Sequence, residues 1–260
     1  MRIQEKSEDP DSFQGISNMG FLEHLEELRI TLVKCSVIFI VACILIAFNL
    51  QDLTSILLQP LAEAMDSTEK AREVLRTSRP MGIFSVILQV VFFGALGLSL
   101  PFMMYFVAGF ISPALSQKEK KTILPSCILA TLLFLGGIAL SYYFILPISL
   151  EFSVKLNERQ GLIPLWSASA YYGLVVWLSL AVGISFQFPL LIILFAYLEL
   201  IPISKLKSSR KIVFVIMMVF AALITPGGDP ITLVLLTGVL YALYEIALTI
   251  SKFLVGRKNT

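Results

Sequence analysis

Six stretches of this chain are almost wholly apolar: 32–50, 83–111, 122–148, 167–198, 212–224 and 231–250. A helix crosses about 30 Å of hydrocarbon with roughly 20 apolar residues, so each stretch predicts a membrane-spanning helix. The fourth is too long for one straight crossing and too short for two with a turn. Pro189 lies inside it, and a tilted, kinked single helix accommodates the length. Pro101 predicts a similar kink in the second. The fifth is the shortest, about 20 Å as a helix, and needs the polar residues from Lys207 onward to reach across. Residues 225–230 form a turn by their proline and glycine content, and the sixth stretch returns. The pattern predicts an all-α integral membrane protein with six transmembrane helices.

Composition agrees with the pattern. Of 260 residues, 57% are hydrophobic and only 15% charged, where a soluble domain carries about 25% charged residues. A net charge of +2 is too small to point to nucleic acid, and the placement of the charges is what informs. Arg2, Lys6, Arg29 and Lys34, then Lys118, Lys120 and Lys121, then Lys205, Lys207, Arg210 and Lys211, and finally Lys252, Arg257 and Lys258 fall on one side. Lys70, Arg72, Arg76, Arg79, Lys155 and Arg159 fall on the other. The excess marks the cytoplasmic side and puts both termini there, which an even number of spans requires. Residues 1–19 read as a polar, disordered tail, 20–255 as a single six-span membrane domain, and 256–260 as a short cytoplasmic tail. Between spans, 51–80 is a long outer loop with a helical signature around 68–76, and 151–166 is a second outer loop. Cys35, Cys43 and Cys127 sit in or beside apolar stretches and show neither metal spacing nor a disulfide framework.

Two cytoplasmic segments carry chemistry. In the first, Phe21, Leu22, Leu25, Leu28 and Leu32 share one helical stripe, and Glu23, His24, Glu26 and Glu27 take the other face. That describes an N-terminal amphipathic helix lying in the interface and leading into the first span. Its sign is unusual, because interfacial helices favour basic residues beside anionic lipid. In the second, Phe110 to Lys121, Pro113 ends the second span, Pro125 opens the third, and Glu119 sits among three lysines. The simplest roles are a solvated acidic face paired with Arg29, and a local charge balance at Glu119. The alternative is that Glu27 and Glu119 converge on a cationic ligand, since a carboxylate takes a guanidinium through two parallel hydrogen bonds.

These motifs resemble the TatC family, the signal-peptide-receptor subunit of the twin-arginine protein translocase. His24-Leu25-Glu26-Glu27-Leu28-Arg29 is similar to its HLxELR signature, and Phe110 to Leu115 followed by Glu119 to its FxxPxL…E loop. Gln59-Pro60-Leu61, the run from Gly183 to Pro189, Thr225-Pro226 with Asp229, and Tyr244-Glu245 resemble further family elements, in order along the chain. The resemblance implies that Glu27 and Glu119 receive the paired arginines of signal peptides of folded substrates, with Arg29 and Phe110 shaping that site. It implies that Pro60 belongs to an ordered outer loop, and that Gln187, Thr225, Asp229 and Glu245 lie where single-span TatA-like and TatB-like subunits dock or in the surrounding structure. It also implies an oligomeric complex, driven by the proton-motive force, in a bacterial or archaeal cell membrane, with the thylakoid membrane as second choice. Departures are Gln187 where relatives often carry Glu, Leu233 where some carry a polar residue, and Phe106 where many carry Gln.

Within the spans, Gln89, Gln187 and Glu245 are costly in lipid and are expected to face protein or water. Glu245 is alternatively hydrated near the cytoplasmic end. The lone His24 cannot make a zinc site, there is no HExxH pattern or P-loop, and no catalytic residue, metal or cofactor is expected. A small-solute secondary transporter is the runner-up, weakened by the missing internal repeat. The short final hairpin predicts local bilayer thinning.

Overall fold

The computed structural model describes residues 21–258 except 78, 115–116, 198–202 and 226–228; side chains at 21, 114–119, 121–122, 195, 197, 203–204 and 253–258 are also outside the description. The expected disordered tail, the final residues 259–260, and the centre of the last turn, with Pro226, therefore lie outside the described residues. The first helix, α1 (Phe21–Phe48), carries the acidic segment and the first apolar stretch as far as Phe48 without interruption. At 1.5 Å per residue its 28 residues reach about 42 Å.

Where the sequence predicts a long loop with a helical signature around 68–76, the chain builds α2 (Leu50–Ala64), α3 (Thr68–Val74), which matches that signature, and a two-residue strand β1 (Leu75–Arg76). Asp66 takes the left-handed conformation at φ 54°, and the Ser67 N–H returns to the Ala62 carbonyl at 3.1 Å, which closes α2. Ser67 then caps α3 by accepting from the Lys70 N–H at 3.4 Å.

The second span is α4 (Gly82–Ile111), with Pro101 inside it, and a 3-10 turn over Ser112–Ala114 ends it at Pro113 as expected. α5 (Gln117–Leu140) begins before Pro125 rather than at it, so the proline lies inside the helix and does not open it. Continuing the same rod, Ser141–Ile145 widens to π spacing, the Leu146 N–H bonding to the Ser141 carbonyl, before α6 (Leu146–Arg159). Pro147 has no N–H for the Tyr143 carbonyl, and the wider turn accommodates that loss. α6 extends well into the expected second outer loop. It ends where Gly161, at φ 67°, lets the Leu162 N–H reach the Asn157 carbonyl at 3.0 Å. Strand β2 (Trp166–Ser167) pairs in parallel with β1, Leu75 opposite Trp166, and ties the two outer connections together.

The fourth stretch is two helices, α7 (Ala168–Ser185) and α8 (Phe188–Tyr197), interrupted at Phe186–Gln187. The predicted kink is thus a break just ahead of Pro189. A short α9 (Ile203–Ser208) leads to α10 (Arg210–Ile224) and α11 (Pro230–Lys258), the last running past the expected domain boundary at 255. Among the described residues, five helical rods are long and apolar enough to cross a membrane: Leu22–Phe48, Gly82–Ile111, Ile123–Arg159, Ala168–Leu194 and Pro230–Lys252. α10, with 15 residues and about 22 Å, falls short of them.

α7 sits centrally, packed against α4 and α5, and α11 packs on α8 and α10. Val90, Val175, Val182, Leu146, Leu236 and Leu240 are fully or almost fully buried. Outer faces carry Val37, Ile40, Ile44, Leu132 and Val219, each more than half exposed, as lipid-facing positions require. Because lipid is as apolar as these side chains, close packing and polar contacts between helices hold the bundle. One close approach is exact in its demand. A Cβ on Gly137 would stand 2.9 Å from Gly183 Cα and from the Phe186 ring, so α5 and α7 meet backbone to backbone.

Candidate functional site

The first turns of α1 and the last turn of α4 meet at one end of the bundle. There the His24 ring stacks on Phe110 with centroids 4.4 Å apart and planes at 18°. Glu27, one turn on from His24, lies with Oε2 3.9 Å from His24 Nδ1, beyond hydrogen-bonding distance. That oxygen is withdrawn from solvent and accepts no hydrogen bond from the described residues. A carboxylate oxygen shielded from water without a donor is costly, and an incoming cationic donor relieves the cost. Two of the expected site residues, Glu27 and Phe110, thus each lie beside His24. The Glu119 side chain lies outside the described residues. Arg29 is two positions from Glu27, about 200° round the helix, and does not face it. It lines a shallow groove with Leu25, Leu28, Leu32, Val33 and Ser36.

The remaining expected positions form separate contacts. Pro60 is buried inside α2. It has no N–H for the Ile56 carbonyl, and the Tyr142 hydroxyl donates to that oxygen at 2.6 Å. Tyr171 donates to the neighbouring Leu57 carbonyl at 2.8 Å. Gln187, in the gap between α7 and α8, donates from Nε2 to the Ala130 carbonyl of α5 at 3.0 Å, while its Oε1 is buried without a described partner. Gln89 likewise reaches Ser85 at 3.3 Å and leaves Oε1 without one.

Asp229 caps α11. Its two oxygens accept from the Ile231 and Thr232 N–H groups at 3.0 and 3.1 Å, and from the Thr232 hydroxyl. Thr232 in turn meets Ser149 of α6 at 2.5 Å. Thr225 is buried and bonds back to Ala221 at 2.8 Å, and the Trp177 indole donates to the Ile224 carbonyl at 3.0 Å, satisfying the open end of α10. Thr225, Asp229 and Thr232 border a mostly apolar cavity of about 560 Å³ beneath Leu165, Trp166 and Ser167. Glu245 accepts from Arg210 Nη2 at 2.7 Å and from the Tyr241 hydroxyl at 3.1 Å, so it is an ion-pair partner joining α10 to α11.

His24 reads in the sequence only as a polar-face residue unable to make a zinc site. Its stacking partner is 86 positions away, and no local signal announces it. Arg210 as the partner of Glu245 was equally invisible. The Tyr142 contact had one legible half: a proline at 60 frees the carbonyl at 56.

A bundle of long apolar helices with polar groups held between them is a multi-pass membrane protein, and the comparisons say of which kind. The family profile of the Sec-independent protein translocase protein (TatC) matches residues 23–238. The chain is 30% identical over 238 residues to an uncharacterized TatC-like protein of Gracilaria tenuistipitata var. liui, covering 92% of this chain and 96% of that one. It is 28% identical to the Sec-independent protein translocase protein TatCy of Bacillus subtilis, over 91% of this chain and 90% of the relative. It is 35% identical to chloroplastic TATC of Pisum sativum, over 87% of this chain and 62% of the relative. The crystal structure of the twin-arginine translocase receptor TatC in DDM superposes with a TM-score of 0.77 at 29% identity, covering 88% of this chain and all of that one. The chain belongs to the TatC family and is a component of the Sec-independent, twin-arginine protein translocase.

Proposed function

We propose that this chain is the subunit that receives twin-arginine signal peptides, and that Glu27 takes an arginine of the pair. The observation that carries the reading is the Glu27 oxygen, shielded from water and without a donor among the described residues, beside the His24–Phe110 stack. A guanidinium supplies two parallel N–H groups to such a carboxylate, and its planar face stacks on aromatic rings, which an ammonium cannot reproduce. Glu119, in the first turn of α5, supplies the second carboxylate. Arg29, on the opposite face of α1, fixes the depth of the helix in the interface.

The proposal includes six spans, with α10 as the fifth and shortest, and both termini on the cytoplasmic side. The lysine and arginine bias supports that orientation. The first turns of α1 then lie at the cytoplasmic interface, their exposed Leu22, Leu25 and Leu28 turned to lipid. TatA-like and TatB-like single-span subunits dock along the exposed membrane face near Gln187 and the α10–α11 hairpin, and folded cargo crosses with energy from the proton-motive force.

The test is cross-linking of the reconstituted protein to a signal peptide bearing Arg-Arg and to the same peptide bearing Lys-Lys. The expected result is Arg-selective capture by the wild type, lost in Glu27→Ala and Glu119→Ala. Full Arg-selective capture by both variants contradicts the proposal.

A further inference from the structure

At the end where α10 begins and α11 finishes, cations from three elements converge. Lys252 of α11 stands against the Lys207 side chain of α9 and within Coulombic reach of Arg210 at the start of α10. One carboxylate serves them, and it is engaged twice: Glu245 takes Arg210 on one oxygen and Tyr241 on the other. Two like-charged ammonium groups held side by side, with no carboxylate of their own among the described residues, are unfavourable unless an anion joins them.

Three independent features point to that anion. Arg210 Nε is shielded from solvent and has no acceptor among the described residues. Ser209, at the N-cap of α10, makes no side-chain cap hydrogen bond, so no side chain caps the start of this 15-residue helix beside the cations. α9 is also fixed in place, because the Tyr244 hydroxyl donates to the Leu206 carbonyl at 2.6 Å. Immediately along α10, Ile212, Phe214 and Val215 are exposed to lipid, with Phe214 edge-on to Tyr241 at 5.4 Å. A polar, positive notch thus opens directly onto an acyl-chain surface. A general excess of basic residues on one side does not produce this convergence, which joins residues 45 positions apart in sequence (207 and 252).

We propose that the α9–α10–α11 junction is a binding site for the phosphate headgroup of an anionic phospholipid. Lys207 and Lys252 bracket the phosphodiester beside the start of α10, and the acyl chains lie along Ile212, Phe214 and Val215. A bound lipid then braces the hairpin whose outer end carries Asp229.

The test uses the full chain in mild detergent, with thermal stability and binding measured against short-chain phosphatidylglycerol, short-chain phosphatidylcholine and inorganic phosphate. The expected result is saturable stabilisation by phosphatidylglycerol alone. In the Lys207→Gln/Lys252→Gln double variant that affinity weakens by roughly tenfold or more, since each basic residue near an anionic surface contributes about 1 kcal/mol. The variant keeps the Arg210–Glu245 pair, and its unliganded helicity and stability check its fold. A Lys70→Gln variant, altered in α3, retains the full response. Equal stabilisation by phosphatidylcholine, an equal response to inorganic phosphate, or full retention in the double variant overturns the proposal. Arg-selective peptide capture is a separate readout, so failure here is distinguishable from failure of the signal-peptide reading.

Discussion

The hydroxyl of Tyr142 donates to the main-chain carbonyl of Ile56 at 2.6 Å, the carbonyl that Pro60 leaves without its helical donor. The contact joins the rod formed by α5, the π turn and α6 to α2, and it repairs a defect that the proline creates. Tyr142→Phe removes that donor and is expected to cost about 1–2 kcal/mol, read as a lower unfolding temperature in detergent. In a Pro60→Ala background the N–H returns to position 60, so the same Tyr142→Phe substitution costs clearly less. An equal cost in both backgrounds contradicts the account.

Asp229 holds the start of α11 through two main-chain N–H groups and the Thr232 hydroxyl. Asp229→Ala is expected to destabilise by about 1–2 kcal/mol, and Asp229→Asn, which still caps, by a few tenths. Hydrogen exchange at Ile231 and Thr232 is the measurement. Protection unchanged in Asp229→Ala speaks against the cap.

The backbone contact of α5 with α7 makes Gly137→Ala a sensitive probe. The added methyl would meet Gly183 Cα and the Phe186 ring at 2.9 Å, and neither backbone has room to yield. A loss of about 1–3 kcal/mol is expected, against almost none for Gly136→Ala, where nothing lies within 4 Å.

Arg210 and Glu245 are each more than or about a third exposed, at 43% and 33%, so water screens their attraction. Removing either is expected to cost only about 1 kcal/mol, and the double substitution to cost less than the two singles added. Additive losses in a double-mutant cycle at low salt would remove the ion pair from the account.

Much of this architecture was legible because hydropathy and proline act locally. The apolar stretches locate the helical rods, Pro113 ends α4, and Pro189 marks the interruption at Phe186–Gln187. In the outer connections the helical signature around 68–76 marked α3, but α2 and the length of α6 were not legible. α2 closes on a left-handed Asp66, and α6 stays helical beyond Pro147 only through the π turn. Pro125 misled, because a proline in a helix reads locally as a start, while the first residues of α5 are polar enough to look like loop. At the site, Glu27 and Phe110 were identified by motif resemblance, but their juxtaposition depends on how α1 lies against α4. The His24 stack follows from that packing and from no pattern in the chain.

Orientation has its own check. In a background without Cys35, Cys43 and Cys127, a cysteine at Asp66 or Gln160 is expected to react with an impermeant thiol reagent from the outer side. A cysteine at Thr260 is expected to react only from the cytoplasmic side. Labelling of Thr260→Cys and Asp66→Cys from the same side contradicts an arrangement with both termini inside and α10 as the fifth of six spans.

The central claim is that Glu27 discriminates arginine from lysine. The direct measurement is the equilibrium affinity of the purified protein for an Arg-Arg signal peptide and its Lys-Lys counterpart, in wild type and in Glu27→Gln. A charged, bidentate hydrogen bond contributes about 1.5–3 kcal/mol, so the wild type should prefer Arg-Arg by roughly tenfold or more, and Glu27→Gln should bring the two affinities close together. A preference for Arg-Arg that is undiminished in Glu27→Gln would show that the arginines are received elsewhere.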